Sequence, residues 1–246
     1  MNNLFLSFVI TTIAGLSTML GSLPVFFKCK KKIKIISFSL IFSSSVMIFI
    51  SIFDLIPTSF KYLFKFYELI PSIIIISIFL FFGFLFIYFI KHVIKVEEDL
   101  YKVGIISMIA LIVHNIPEGI ITFLTTTKDF KLGLSLSLSI ALHNIPEGIS
   151  IFVPIYFSNH NKKKAILYTF IAGFSEVFGA FIAWLFLSKV VNNYFFSFSF
   201  AVTAGIMIYI AVYELIPKGI ELCNRKLLMA YFTLGIIIMI LSKLLI

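Results

Sequence analysis

Apolar residues fall along this chain in eight long stretches, at about 4–27, 35–56, 69–90, 103–125, 132–157, 165–188, 197–217 and 227–246, separated by short polar breaks. Each approaches or exceeds the roughly 20 residues that a helix needs to cross the hydrocarbon of a bilayer. A segment inside lipid must satisfy its own backbone hydrogen bonds, so stretches of this length predict helices. The expected fold class is all-α: a polytopic membrane protein with eight transmembrane helices. Little chain lies between the stretches, which predicts a single transmembrane domain over 1–246. The stretches at 35–56 and 197–217 are the least sharply bounded at their C-terminal ends. Met1 to Val25 carries neither a basic leader nor a small-residue cleavage pattern, and reads as the first span rather than a removed signal.

Polar positions inside the stretches are few, and they repeat. His-Asn-Ile-Pro-Glu-Gly-Ile occurs at 114–120 in span four and again at 143–149 in span five. Ionisable groups at that depth are costly and mark functional sites. Side chains three and four apart share a helix face, so His114, Asn115 and Glu118 point one way, as do His143, Asn144 and Glu147. Pro117 and Pro146 withhold a hydrogen from the carbonyls of Val113 and Leu142, and are expected to open the helices there. Gly119 and Gly148 leave room for a neighbouring helix. Imidazole nitrogen with amide and carboxylate oxygen, and no thiolate, suits Zn(II), Fe(II), Mn(II), Co(II) or Cd(II) and disfavours Cu(I). Six donors are too many for one tetrahedral ion. They suit two adjacent ions bridged by Glu118 and Glu147, with His114 and His143 on one ion and Asn115 and Asn144 on the other. Glu176, in an otherwise apolar part of span six, is a third carboxylate that can complete the second site.

A shorter pattern recurs as Asp54-Leu-Ile-Pro57 at the end of span two and Glu214-Leu-Ile-Pro217 at the end of span seven. If spans one to three repeat as six to eight, the shift of five spans makes the copies insert upside down relative to each other. The expected arrangement is 3 + 2 + 3, with spans four and five as the central pair. Glu214, beside Tyr213, reads either as a pathway residue or as a bundle residue. Asp54 reads as an entrance group or an interfacial cap. His92 lies in a loop as a solvated side chain or an exit-side ligand, and His160 as a solvated one.

Composition narrows the class further. With 61% hydrophobic residues, 13% charged and a mean hydropathy of +1.11, a soluble domain is excluded. The net charge of +9 raises nucleic acid or anionic lipid as partners, but the distribution of the charge points to topology. Lys28, Lys30, Lys31, Lys32, Lys34, Lys91, Lys95, Lys102, Lys162, Lys163, Lys164, Lys218, Arg225 and Lys226 fall in alternate loops, against six lysines (61, 65, 128, 131, 189 and 243) on the other side. Basic residues collect on the cytoplasmic side, which predicts both termini on the non-cytoplasmic side of a plasma or organelle membrane. Lys162–Lys164 are then topology anchors, with no nucleic acid implied. Cys29 and Cys223 sit beside predicted cytoplasmic loops and form no Cys-x-x-Cys pair, so they read as incidental thiols.

Taken together, these residues resemble the ZIP (Zrt-, Irt-like) family of divalent metal transporters, over essentially the whole chain. The resemblance implies eight spans with extracytoplasmic termini in a 3 + 2 + 3 inverted repeat, and a homodimer. It also implies a binuclear metal centre at His114, Asn115, Glu118, His143, Asn144 and Glu147, with Glu176 as the span-six carboxylate. Having the same motif on both helices is most similar to the bacterial broad-specificity branch. That implies import of zinc into the cytosol, with iron and manganese as further cargo: the metal is substrate, and no prosthetic group is expected. Two features depart from the family pattern. Tyr213 stands where the family often has His before the span-seven Glu, and the loop between spans three and four is short, with His92 its only histidine. Outside the family, a membrane di-metal enzyme fits the ligand types but not the spacing, since neither Glu-x-x-His nor His-Glu-x-x-His occurs. A passive metal channel would share the site. No ATP-binding motif is present, so a gradient must drive any transport.

Overall fold

The eight apolar stretches form eight helices, most of them longer than the stretches themselves. The computed structural model describes residues 2–26, 32–187 and 192–245. Its helices are α1 (Asn3–Leu23), α2 (Lys32–Leu63), α3 (Leu69–Val93), α4 (Asp99–Lys128), α5 (Phe130–Asn159), α6 (Lys162–Phe186), α7 (Asn193–Glu221) and α8 (Arg225–Leu244), all long and apolar enough to cross a membrane. Lys28, Cys29, Lys30, Lys31 and Lys189 lie outside the described residues. The added length comes from polar ends with their own start signals. Glu98, Asp129, Asn161 and Asn192 each accept a backbone N–H three residues on, capping α4, α5, α6 and α7.

Two helices run past a proline that seemed to end them. In α2 a π turn occupies Ser51–Leu55, and in α7 another occupies Ala211–Leu215, each directly ahead of an Ile-Pro pair. The wider turn makes room for a ring that cannot donate and would otherwise strike the preceding turn. The helix then resumes, to Leu63 and Glu221. The stretches 35–56 and 197–217 therefore stop short. The reverse holds at Pro117 and Pro146: α4 and α5 are α-helical through both, so the opening expected there does not divide them. Tight packing holds these segments. Gly119 lies against the Glu176 carbonyl and Gly148 against the Thr18 carbonyl, with no space for a Cβ at either. The second half of α1, from Ser17, tightens into a long 3₁₀ stretch whose Ser17 and Thr18 hydroxyls turn back onto the carbonyls of Ala14 and Gly15.

The helices pack as two groups of four. One holds α1, α4, α5 and α6; the other holds α2, α3, α7 and α8; they meet where α2 lies on α5 and α4 on α7. Small residues bring backbones close within each group, as membrane helices require. Gly15 faces Gly173, and Gly179 faces Ile116, in the first group; Gly83 faces Val202, and Gly205 faces Leu80, in the second. All 12 glycines meet neighbours of their own group. No glycine contact crosses the seam between the groups, which is bridged by Ser43, donating to the Pro146 carbonyl at 2.6 Å, and holds an apolar cavity where α4 faces α3 and α7. The most apolar windows of α3 and α8 are only 17% and 11% buried, leaving Phe81, Phe82, Leu241 and Leu244 facing outward as a lipid-covered surface does. Phe79 and Phe84 turn the other way and pack on Phe198 and Tyr209.

Candidate metal centre

The two heptapeptides face each other across the α4–α5 contact. His114, Asn115, Asn144, Glu147 and Glu176 are fully buried, and Glu118 and His143 are 5% and 6% exposed. The pairing crosses between helices. His114 Nε2 lies 3.3 Å from Glu147 Oε2, and His143 Nε2 lies 3.6 Å from Glu118 Oε2. The i, i+4 spacing puts each imidazole and carboxylate on one face, and the close approach of α4 and α5 makes each the neighbour of the opposite helix's partner.

Backbone carbonyls set the two amides. Asn115 Nδ2 donates to the Ala172 carbonyl at 2.9 Å, and Asn144 Nδ2 donates to the Ala14 carbonyl at 2.9 Å. Asn144 Nδ2 also donates to Glu176 Oε2 at 2.9 Å, tying the span-six carboxylate to the cluster. With their nitrogens committed, both amides present their oxygens to the interior.

Those oxygens have no partner. His114 Nδ1, Asn115 Oδ1, Glu118 Oε2, His143 Nε2, Asn144 Oδ1, Glu147 Oε1 and Glu176 Oε1 are all buried without a hydrogen bond. Each of the seven residues expected from sequence thus carries one buried donor atom without a hydrogen bond, Glu118 Oε2 and His143 Nε2 having only each other at 3.6 Å. An unsatisfied buried polar group costs roughly 1–3 kcal/mol, and a charged one more. Seven together require something that several of them can share. Among the described residues no three His, Cys, Asp or Glu side chains form a ready-made cation cage. The grouping here is His–Glu pairs supplemented by amide oxygens, a set that such a cage leaves out.

On one side the cluster opens. A cavity of about 180 Å³ is lined by Glu118 and His143 at its inner end and by Ser139, Thr58 and Asp54. Asp54 lines this cavity, and its carboxylate is paired with Lys243 of α8. Glu214, on the π turn of α7, is buried with Lys91 Nζ of α3 2.8 Å from its Oε1, close enough for an ion pair although not aligned as a hydrogen bond. His92 is exposed at the end of α3, its Nδ1 2.7 Å from the Tyr88 carbonyl, and does not join the cluster. Tyr213 is half-exposed and packs on Phe84 and Tyr209. His160 is exposed and ends α5 in a left-handed turn. Cys223 is free, and burial pushes its thiol pKa up, away from reactivity.

Sequence reasoning missed a third repeat. Ile13-Ala14-Gly15-Leu16-Ser17-Thr18 in α1 matches Ile171-Ala172-Gly173-Phe174-Ser175-Glu176 in α6. The two alanine carbonyls hold the two motif asparagines, and Ser17 and Ser175 each donate to their own alanine carbonyl at 2.6 Å. The signal was present but written in common apolar residues.

Residues 97–243 match the family described as ZIP Zinc transporter. The chain is 36% identical to the zinc transporter ZupT of Streptococcus mutans over 99% of its own length and 98% of the relative's. The chain belongs to the ZIP family. Two further relatives are likewise matched end to end. The zinc transporter ZupT of Oceanobacillus iheyensis is 38% identical over 100% of this chain and 99% of the relative, and that of Clostridium perfringens 32% over 100% and 97%. Within ZIP, the likeness is to bacterial ZupT, in agreement with the resemblance read from the twin motifs.

Proposed function

We propose that this ZIP protein imports Zn(II) into the cytosol, with Fe(II) and Mn(II) as further cargo, through a two-ion centre at His114, Asn115, Glu118, His143, Asn144, Glu147 and Glu176. The observation that carries the reading is the set of buried donor atoms without a hydrogen bond, one from each of these residues. Divalent cargo satisfies them and neutralises three glutamates that are otherwise costly in low dielectric. Oxygen-rich ligation also lets an ion leave, as transport demands.

Both termini are non-cytoplasmic in this proposal, so the cavity reaching Asp54 opens outward and serves as the entrance, while Glu214 lies toward the cytosol. The inverted 3 + 2 + 3 repeat is supported by the matched π turns in α2 and α7 and by the matched alanine carbonyls of α1 and α6. Alternating access uses the seam: α1, α4, α5 and α6, which hold every donor, slide against α2, α3, α7 and α8. The boundary is placed there because the close glycine contacts all lie within the groups.

The test is uptake of radioactive zinc in cells lacking their own importers. Glu118→Ala and His143→Ala are expected to abolish uptake with membrane expression intact, and unlabelled Fe(II) and Mn(II) to compete in the unaltered protein. Unchanged uptake by either variant would falsify the centre.

A further inference from the structure

The two acids at the ends of the proposed pathway are each held by a lysine, and the two lysines occupy matching places. Asp54 lies in the π turn of α2 and Glu214 in that of α7, each followed by Leu-Ile-Pro. Lys243 of α8 pairs with Asp54 and also donates to the Phe53 carbonyl at 2.9 Å. Lys91 of α3 pairs with Glu214 at 2.8 Å. Lys91 follows Gly83 by eight residues and Lys243 follows Gly235 by eight. Gly83 packs on the Val202 carbonyl, twelve residues before Glu214, and Gly235 beside the Phe42 carbonyl, twelve before Asp54. The ends of α2 and α8 share one membrane face, and those of α7 and α3 the other, because odd and even spans end on opposite sides.

A lysine at a helix end ordinarily extends toward the headgroups. Here both lysines turn onto a carboxylate instead. The Asp54 carboxylate shares its cavity with Glu118 and His143. Asp54, Lys91, Glu214 and Lys243 belong to α2, α3, α7 and α8, the group that holds none of the cluster donors.

We propose that Lys243 and Lys91 are tethered counter-ions, one at each mouth, that a passing dication must displace from Asp54 and Glu214 respectively. The step is cation exchange: the ammonium swings off the carboxylate, the metal takes its place, and the ammonium returns once the ion moves on. Between ions, each mouth acid keeps a partner and does not hold a dication indefinitely. The lysines are thus affinity- and rate-setting residues of the mouths, which raise the apparent KM in return for release. The two mouths differ in strength. Lys243 and Asp54 are 53% and 37% exposed, whereas Glu214 is 5% exposed, so the inner pair is less screened and harder to displace.

This inference rests on the import reading above, and the test separates the two. In proteoliposomes, K243M is expected to lower the KM for zinc entering from the Asp54 side by about two- to fivefold, the range of a half-exposed ion pair. K91M is expected to lower it from the Glu214 side instead, by more. K243R and K91R should keep the unaltered KM values. A lysine that merely braced two helices would not give this crossed dependence on side. Independently of flux, Mn(II) titration of the purified protein followed by electron paramagnetic resonance should show one more bound ion in K243M than in the unaltered protein, and the D54N/K243M double variant should lose it. K91Q stands in if K91M fails to reach the membrane. No zinc flux in the unaltered protein overturns the import reading. An unchanged or raised KM, with no added Mn(II) in K243M, overturns the counter-ion proposal while leaving import intact.

Discussion

Asn144 joins three elements through one amide nitrogen, which donates to Ala14 of α1 and to Glu176 of α6 while the residue itself sits on α5. Replacing it with leucine keeps much of the volume, removes both bonds and leaves Glu176 Oε2 unsatisfied, at roughly 1–3 kcal/mol for a buried group, while the Ala14 carbonyl keeps the Ser17 hydroxyl. Asn144→Leu is therefore expected to reduce zinc uptake at least tenfold, as is Glu176→Gln. The double variant should be no worse than the poorer single one, because residues sharing a network are not additive. Additive losses in the uptake assay would show that Glu176 acts apart from Asn144. Asn115 makes only the single bond to Ala172, so Asn115→Leu is expected to destabilise the protein less than Asn144→Leu in a detergent melting assay.

Among the helices, the glycines separate packing that tolerates change from packing that does not. A Cβ at Gly119 would run into the Glu176 backbone carbonyl, and only moving α6 away from α4 could relieve it. A Cβ at Gly235 would run first into the Ser45 hydroxyl, an atom that a second substitution removes. Gly119→Ala is thus expected to lower the melting temperature and abolish uptake, at a cost in the 1–3 kcal/mol range typical of overpacking. Gly235→Ala should be milder and partly restored by Ser45→Gly. Thermal stability in detergent reads both, and an equally tolerant Gly119→Ala would mean that α4 and α6 are not locked. Much of this level was legible in the chain. Span number followed from apolar length, six of the seven cluster residues from a heptapeptide too polar for its depth, and Glu176 from a lone acid in an apolar span. Other features were not. Whether His114 would meet Glu118 or Glu147 depends on how closely α4 and α5 approach, which a single-helix periodicity cannot say. The alanine carbonyls that aim Asn115 and Asn144 are backbone atoms, traced in the sequence only by the repeat of common residues that α1 and α6 share. The π turns were hidden because Pro57 and Pro217 look like stops when only α and loop are considered.

For the molecule as a whole, the division of labour between the two helix groups determines which motion can carry cargo. Every cluster donor sits on α4, α5 or α6, and both proposed mouth acids sit on α2 or α7, so on the proposed path an ion passes from one group to the other and back. Backbone-to-backbone glycine contacts within a group resist sliding, since any shift would drive a Cα into a carbonyl. The seam lacks them and relies on side chains, which can exchange partners. Spin labels at outward positions test this directly, in a background with Cys29 and Cys223 replaced by serine. Leu69 of α3 and Leu241 of α8 are 58% and 53% exposed and lie in one group; Leu132 of α5 is 59% exposed and lies in the other. On adding Zn(II) to the reconstituted protein, the Leu69–Leu241 distance is expected to hold constant. The Leu69–Leu132 distance should shift by on the order of one helical turn, about 5 Å. Glu118→Ala should abolish the shift, since a ligand moves a conformational equilibrium only through its differential affinity for the two states. If both distances move together, the groups are not rigid bodies. If neither moves while zinc still crosses, the path is a fixed channel through the seam.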